Sequence, residues 1–119
     1  MNFSSNKAIY LQIADSLTDE ILSGHLLPNN RVPSIRDLSA QFQVNVNTIT
    51  RTLDHLQQQG VIYNQRGIGF FVAENAPQSI LNERRKKFTM TVLPEICREM
   101  HLLDIPVNEF INIYNSTES

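Results

Sequence analysis

The chain has 119 residues, of which 41% are hydrophobic and 18% charged. That is the make-up of one folded domain, or of a small domain with a helical appendage, and not of a disordered tail. Four glycines and five prolines exclude a collagen-like or low-complexity chain, and ten basic against twelve acidic residues give a net charge of -2, which on its face counts against a nucleic-acid partner.

A single cysteine, Cys97, excludes an intramolecular disulfide framework and suits a reducing cytosol. No apolar run approaches the ~20 residues of a membrane span. The opening Met-Asn-Phe-Ser-Ser-Asn-Lys lacks the apolar core of a signal peptide. A cytoplasmic location without a membrane partner is therefore expected. His25, His55, His101 and Cys97 lie far apart and show no metal-ligand spacing, so neither a metal nor a cofactor is expected.

Residues 1–7 are polar and read as a frayed lead-in. From Ala8 the pattern is helical, with Tyr10, Ile13, Leu17 and Ile21 on one face and Gly24 suited to the left-handed terminus. Leu26 to Pro33, with two prolines and two asparagines, reads as an ordered loop. Ser34 caps a second short helix whose apolar side is Ile35, Leu38 and Phe42. Asn45 caps a third, with Ile49, Leu53 and Leu56 as its buried stripe and Gly60 as its stop. Only Gln43-Val44 separates the two short helices, which forces a steep crossing, the arrangement of a helix-turn-helix. Val61–Asn64 and Phe70–Ala73 flank the loop Gln65-Arg66-Gly67-Ile68-Gly69 and predict a β-hairpin. The fold class expected is mostly α with a small β-hairpin: a winged helix-turn-helix over 1–75, then a short C-terminal two-helix dimerisation segment over 76–119. Within that segment residues 79 to about 101 look helical. Pro94 is expected to kink or break this stretch against the carbonyl of Met90. Val107, Phe110, Ile111 and Tyr114 form a last short helix.

Opposite its apolar stripe the third helix carries Asn45, Asn47, Thr48, Thr50 and Arg51. Asn and Arg match the paired donors and acceptors of base edges in the major groove. Thr and helix N-terminal amides suit phosphate oxygens. Any exposed helix face is polar, but this one lacks the Lys and Glu that usually solvate such a face. Ser34 is a cap that also stands where a phosphate could meet a helix end, and Arg36 projects from the same first turn. Arg66 and Gly67 at the hairpin tip suit the minor groove, where Gly permits close approach and Arg meets negative potential; an ordinary turn is the other reading. The run Arg84-Arg85-Lys86-Lys87 is either a backbone contact or a solvated face. No nucleophile–base pair or metal set is visible, so an enzyme is not expected.

These residues resemble the GntR family of bacterial transcription regulators over roughly residues 8–73. The resemblance runs through Tyr10-Leu11-Gln12-Ile13-Ala14-Asp15, Val32-Pro33-Ser34-Ile35-Arg36-Asp37-Leu38, Val44-Asn45-Val46-Asn47-Thr48-Ile49 and Gly67-Ile68-Gly69-Phe70-Phe71-Val72. Val-Asn-x-Asn-Thr and the short helical tail are most similar to the YtrA-like subfamily. Val46 stands where that subfamily often has Pro. Val46 and Thr50 stand where other members carry Arg, and Asn30 stands where Gly is common, with the same tolerance of left-handed backbone. The resemblance implies a homodimeric repressor on a palindromic double-stranded DNA operator, contacted by Ser34, Arg36, Asn45, Asn47, Thr48, Thr50, Arg51, Arg66 and Gly67.

The tail is too short to enclose a small-molecule pocket of ~300–1,000 Å³ in one subunit, and no residue set identifies an effector. Its apolar residues, among them Leu81, Phe88, Val92, Ile96, Leu103, Phe110 and Ile111, point to a two-fold dimer interface. Folding back on the winged domain is the alternative. A winged-helix module for protein–protein contact remains the competing functional reading, favoured by the acidic average. The charge distribution opposes it: Arg31, Arg36, Arg51 and Arg66 outnumber Asp37 and Asp54, so the stretch from Arg31 to Phe70, expected to face DNA, is locally positive.

Overall fold

A computed structural model describes residues 7–118; the rest of the polar lead-in and Ser119 lie outside the described residues. The elements run α1 (Ile9–Ser23), α2 (Ile35–Phe42), α3 (Val46–Gln58), β1 (Ile62–Gln65), β2 (Gly69–Val72), α4 (Ala76–Lys87), a π turn (Phe88–Val92), α5 (Leu93–Leu102) and α6 (Val107–Ser116). The chain divides into a first compact unit ending at Leu81 and a second beginning at Asn82.

In the first unit α3 is the central element. It packs on α1, α2 and β1. Ile13, Ala14, Leu17 and Ile21 of α1 and Ile49, Leu53 and Leu56 of α3 are buried, as their helical spacing predicts. Leu38 of α2, Val61, Ile62 and Val72 close the same core. Thr52 is fully buried among them. Its hydroxyl lies 2.8 Å from the Tyr10 carbonyl of α1 and 3.1 Å from the Thr48 carbonyl, so the polar atom is not orphaned.

The helix ends follow the sequence. Gly24 closes α1 at φ 85°. Ser34 Oγ accepts the Asp37 N–H at 3.1 Å, and Asn45 Oδ1 accepts the Asn47 N–H at 2.7 Å. Between these capped helices Gln43 adopts φ 55°, a left-handed conformation that reverses the chain at once.

The loop before α2 is more regular than its prolines suggest. Leu27-Pro28-Asn29-Asn30 makes a β-turn, closed by the Asn30 N–H on the Leu27 carbonyl at 3.1 Å. The left-handed residue is Asn29, at φ 67°, and not Asn30 as the family pattern implied. Pro fits the second position of such a turn and a positive φ the third. The chain then runs antiparallel to β2. Val72 N–H donates to Asn30 O at 3.0 Å and Val32 N–H to Phe70 O at 2.8 Å, with Arg31 bridging Phe71. The hairpin itself pairs Ile62 with Val72, Tyr63 with Phe71, Asn64 with Phe70 and Gln65 with Gly69.

α4 starts at Ala76, earlier than its apolar spacing suggested, because Pro77 falls in the first turn, where a missing N–H costs nothing. Ala76 and Ile80 are buried in the core of the first unit, which ends at Leu81.

In the second unit Pro94 does not break the helical backbone. The Leu93 N–H reaches back to the Phe88 carbonyl, a five-residue step that widens the turn ahead of the proline ring. Helical residues therefore continue from α4 through α5. Asp104, at φ 55°, turns the chain into α6, where Phe110 and Tyr114 stack at 6.3 Å.

Leu53 sits in the middle of the core and is 1% exposed. Leu53→Ala is expected to destabilise the chain by about 2–5 kcal/mol, read from urea unfolding midpoints.

Candidate nucleic-acid interface

The buried stripe of α3 fixes which residues it presents outward. Asn47 and Arg51, one turn apart, lie opposite Ile49, Leu53 and Leu56 and are exposed, as is Thr50 beside them. Thr50 Oγ1 donates to the Val46 carbonyl at 3.0 Å, which leaves its lone pairs and methyl group outward. Thr48 is only half exposed. Asn45 and Ser34 are exposed, but each side-chain oxygen is engaged as a helix cap. Their caps hold the first turns of α3 and α2 open to solvent, and Arg36 projects from the latter, exposed.

Arg51 is not a free side chain. Its guanidinium carbon sits 4.0 Å from the centroid of the Tyr10 ring, and Tyr10 in turn meets His55 edge-on at 6.0 Å. Stacking occupies the face of a guanidinium and leaves the N–H donors at its rim available. The effect is a pre-oriented donor fork on the outward side of α3. Tyr10 is thus a supporting residue that its position in the α1 stripe did not reveal.

The wing is a three-residue loop. Arg66, Gly67 and Ile68 are exposed at its tip, with Gly67 at φ 80° and the Ile68 N–H donating to Gln65 O at 2.9 Å. Tyr63 and Phe71 stack at 5.8 Å across the strands. Arg31, one of the four arginines of the stretch expected to face DNA, takes a place that the sequence did not reveal. The pairing of residues 30–32 with β2 lays its guanidinium over Gly69, where a Cβ would stand 3.1 Å from Nε. Val46, exposed in the first turn of α3, was not among the expected contact residues. An exposed aliphatic group at this place suits a thymine methyl. Arg31, Arg36, Arg51 and Arg66 enter no ion pair among the described residues.

The second unit has a different character. None of its described residues is buried. Leu81, at the edge of the first unit, is exposed too, as are Phe88, Leu103, Phe110 and Ile111, while Val92 and Ile96 are partly covered. Met90, Leu102, Val107, Ile113 and Tyr114 extend the exposed apolar surface. No helix among the described residues is long and apolar enough to cross a membrane.

A capped two-helix turn with a polar outward face, followed by an antiparallel hairpin, defines a winged helix-turn-helix regulator of the DNA-binding class. The chain matches the family described as bacterial regulatory proteins, gntR family, over residues 9–72, and it belongs to that family. It is 38% identical to the HTH-type transcriptional regulator YhcF of Bacillus subtilis, over 92% of this chain and 88% of that protein. It is 28% identical to the HTH-type transcriptional repressor YtrA of the same organism, over 81% of this chain and 70% of that one. The fold is similar to a crystal structure of a GntR-family transcriptional regulator from Bacteroides thetaiotaomicron, at a TM-score of 0.82 and 41% identity, covering 91% of this chain and 94% of that chain. It is also similar to the AraR DNA-binding domain in complex with operator ORR3, at a TM-score of 0.52 and 34% identity, covering 54% of this chain and 77% of that one.

Gly69 combines φ 143° with the Arg31 guanidinium where a side chain would go. Gly69→Ala is expected to cost about 1–3 kcal/mol, read by thermal unfolding. An unchanged midpoint would show that the wing does not depend on this packing.

Proposed function

We propose that the chain is a homodimeric repressor that binds a palindromic operator, with α3 in the major groove and the wing in the minor groove. The observation that carries this reading is the outward face of the α2–α3 pair. Arg36, Asn47, Thr50 and Arg51 stand on it exposed and without ion pairs among the described residues. Asn47 and Arg51 supply bidentate groups for base edges, and the first turns of α2 and α3 supply amides for phosphates. Arg66 and Gly67 serve the minor groove, where a glycine lets the backbone approach and an arginine meets negative potential. Ser34 and Asn45 act through the helix starts that they cap, and Thr48 through the same first turn. The AraR complex with its operator supports DNA binding, and the name of YtrA supports repression.

Dimerisation is assigned to the second unit together with the end of α4. A helical unit without one buried side chain has no core of its own, and isolated helices of this length are marginal in water. Its exposed Phe88, Leu103, Phe110 and Ile111, with Val92 and Ile96 and with Leu81 at the edge of the first unit, form the surface that a second copy covers about a two-fold axis. Two recognition helices then meet two half-sites of one palindrome.

An operator is selected from a random duplex pool by the protein itself and used in gel-shift competition. Asn47→Ala and Arg36→Ala are each expected to weaken it by about 1–3 kcal/mol, with unfolding midpoints near the parent's. A parent protein that selects no consensus would defeat the proposal. Phe110→Glu is expected to shift the chain from dimer to monomer in sedimentation velocity and to weaken the full palindrome far more than a half-site. A parent that sediments as a monomer would remove the dimer.

A further inference from the structure

The helical stretch Leu81–Thr91 is exposed at every residue. Its centre is Arg84-Arg85-Lys86-Lys87. At 100° per residue, four consecutive side chains point to all sides of a helix. The run is therefore a cationic collar and not the solvated face of an amphipathic helix.

Local chemistry does not account for it. Cations often compensate the carboxyl end of a helix, but here the backbone stays helical beyond the run. Thr91 Oγ1 bonds to the Lys87 carbonyl, and the Leu93 N–H bonds to the Phe88 carbonyl. Glu83 is the only acid within four residues of the run on either side. The second unit places four of its five cations in this run and five of its six acids after residue 94. Neighbouring like charges on a helix repel, and interleaved acids would have relieved that. Arg84 has an interaction within the chain, while Arg85, Lys86 and Lys87 enter no ion pair among the described residues.

We infer that Arg85, Lys86 and Lys87 bind DNA phosphates outside those met by α2, α3 and the wing, which adds a sequence-independent anchor to each subunit. The inference rests on the operator-binding reading above. A dense cluster of cations fits a partner of high charge density, and duplex DNA carries one negative charge per about 1.7 Å of its axis. A lipid surface would favour cations on one face with apolar residues on the other, which a collar does not offer. In the first unit the α2–α3 pair, the wing and the strand-like residue before α2 offer four arginines from Arg31 to Arg66, and Arg51 of these is stacked on Tyr10.

The test measures operator affinity by fluorescence anisotropy from about 50 to 200 mM salt. It compares the full-length parent, the triple variant Arg85→Gln/Lys86→Gln/Lys87→Gln and the charge-retaining Arg85→Lys/Lys86→Arg/Lys87→Arg. The slope of log K against log salt is expected to fall by about 0.9 for each phosphate that the Gln variant no longer neutralises. The charge-retaining variant should keep the parent's slope. The ratio of operator to scrambled-duplex affinity should hold, because phosphate pairing carries no sequence information. Circular dichroism checks that both variants remain helical. A fall smaller than about 0.9, the worth of one neutralised phosphate, overturns the inference. So does a weakening of binding to phosphatidylglycerol vesicles without a change in the DNA slope. A parent without operator preference defeats the functional reading instead, so the two failures are distinguishable.

Discussion

The reading face depends on the turn between α2 and α3. Gln43 takes a left-handed conformation that costs a non-glycine residue roughly 1–2 kcal/mol. The turn is held from within: its Gln43 and Val44 N–H groups both reach the Ser39 carbonyl, and Ser39 Oγ donates to the Val44 carbonyl. Asn45 then caps α3 immediately. With no slack in the link, the two helices cannot lie side by side. α3 is driven onto α1 by Ile49, Leu53 and Leu56, and whatever lies opposite that stripe must face out. The Thr52 hydroxyl, 2.8 Å from the Tyr10 carbonyl, ties α3 to α1 by a polar contact inside the core.

The parts of this design that are local were readable in the sequence. Ser34 and Asn45 mark helix starts because their oxygens bond an amide two or three residues on. Gly24, Gly60 and Gly67 mark turns because their φ values are positive. The parts that required distant pairing were not. Nothing in Asn30-Arg31-Val32 announces a partner in β2, so the place of Arg31 over Gly69 was invisible. The stack of Arg51 on Tyr10 joins residues forty-one positions apart. Pro94 was visible as a problem, but the π turn that solves it lies N-terminal to the proline and has no sequence signature of its own.

The acidic average concealed a division of labour. Asp15, Asp19 and Glu20 lie on α1, while α2, α3 and the wing carry Arg36, Arg51 and Arg66. The same separation recurs in the second unit, between the basic collar and the acids that follow. Net charge governs solubility and long-range repulsion, whereas DNA affinity depends on which cations reach phosphates. A chain of net charge -2 can therefore meet DNA through a locally positive surface.

On the proposed reading, the second unit makes operator binding depend on assembly. Tethering two winged domains raises the effective concentration of the second without any new interaction. A unit that lacks buried residues gains its stability when its apolar helices are covered. On the proposed reading, folding of α5 and α6, dimerisation and operator binding are then linked equilibria, and the dimer constant sets the concentration at which the operator fills. On that reading, a change in the packing of Phe88, Phe110 or Ile111 would act on repression through the population of the dimer and leave the chemistry of the outward face of α3 untouched.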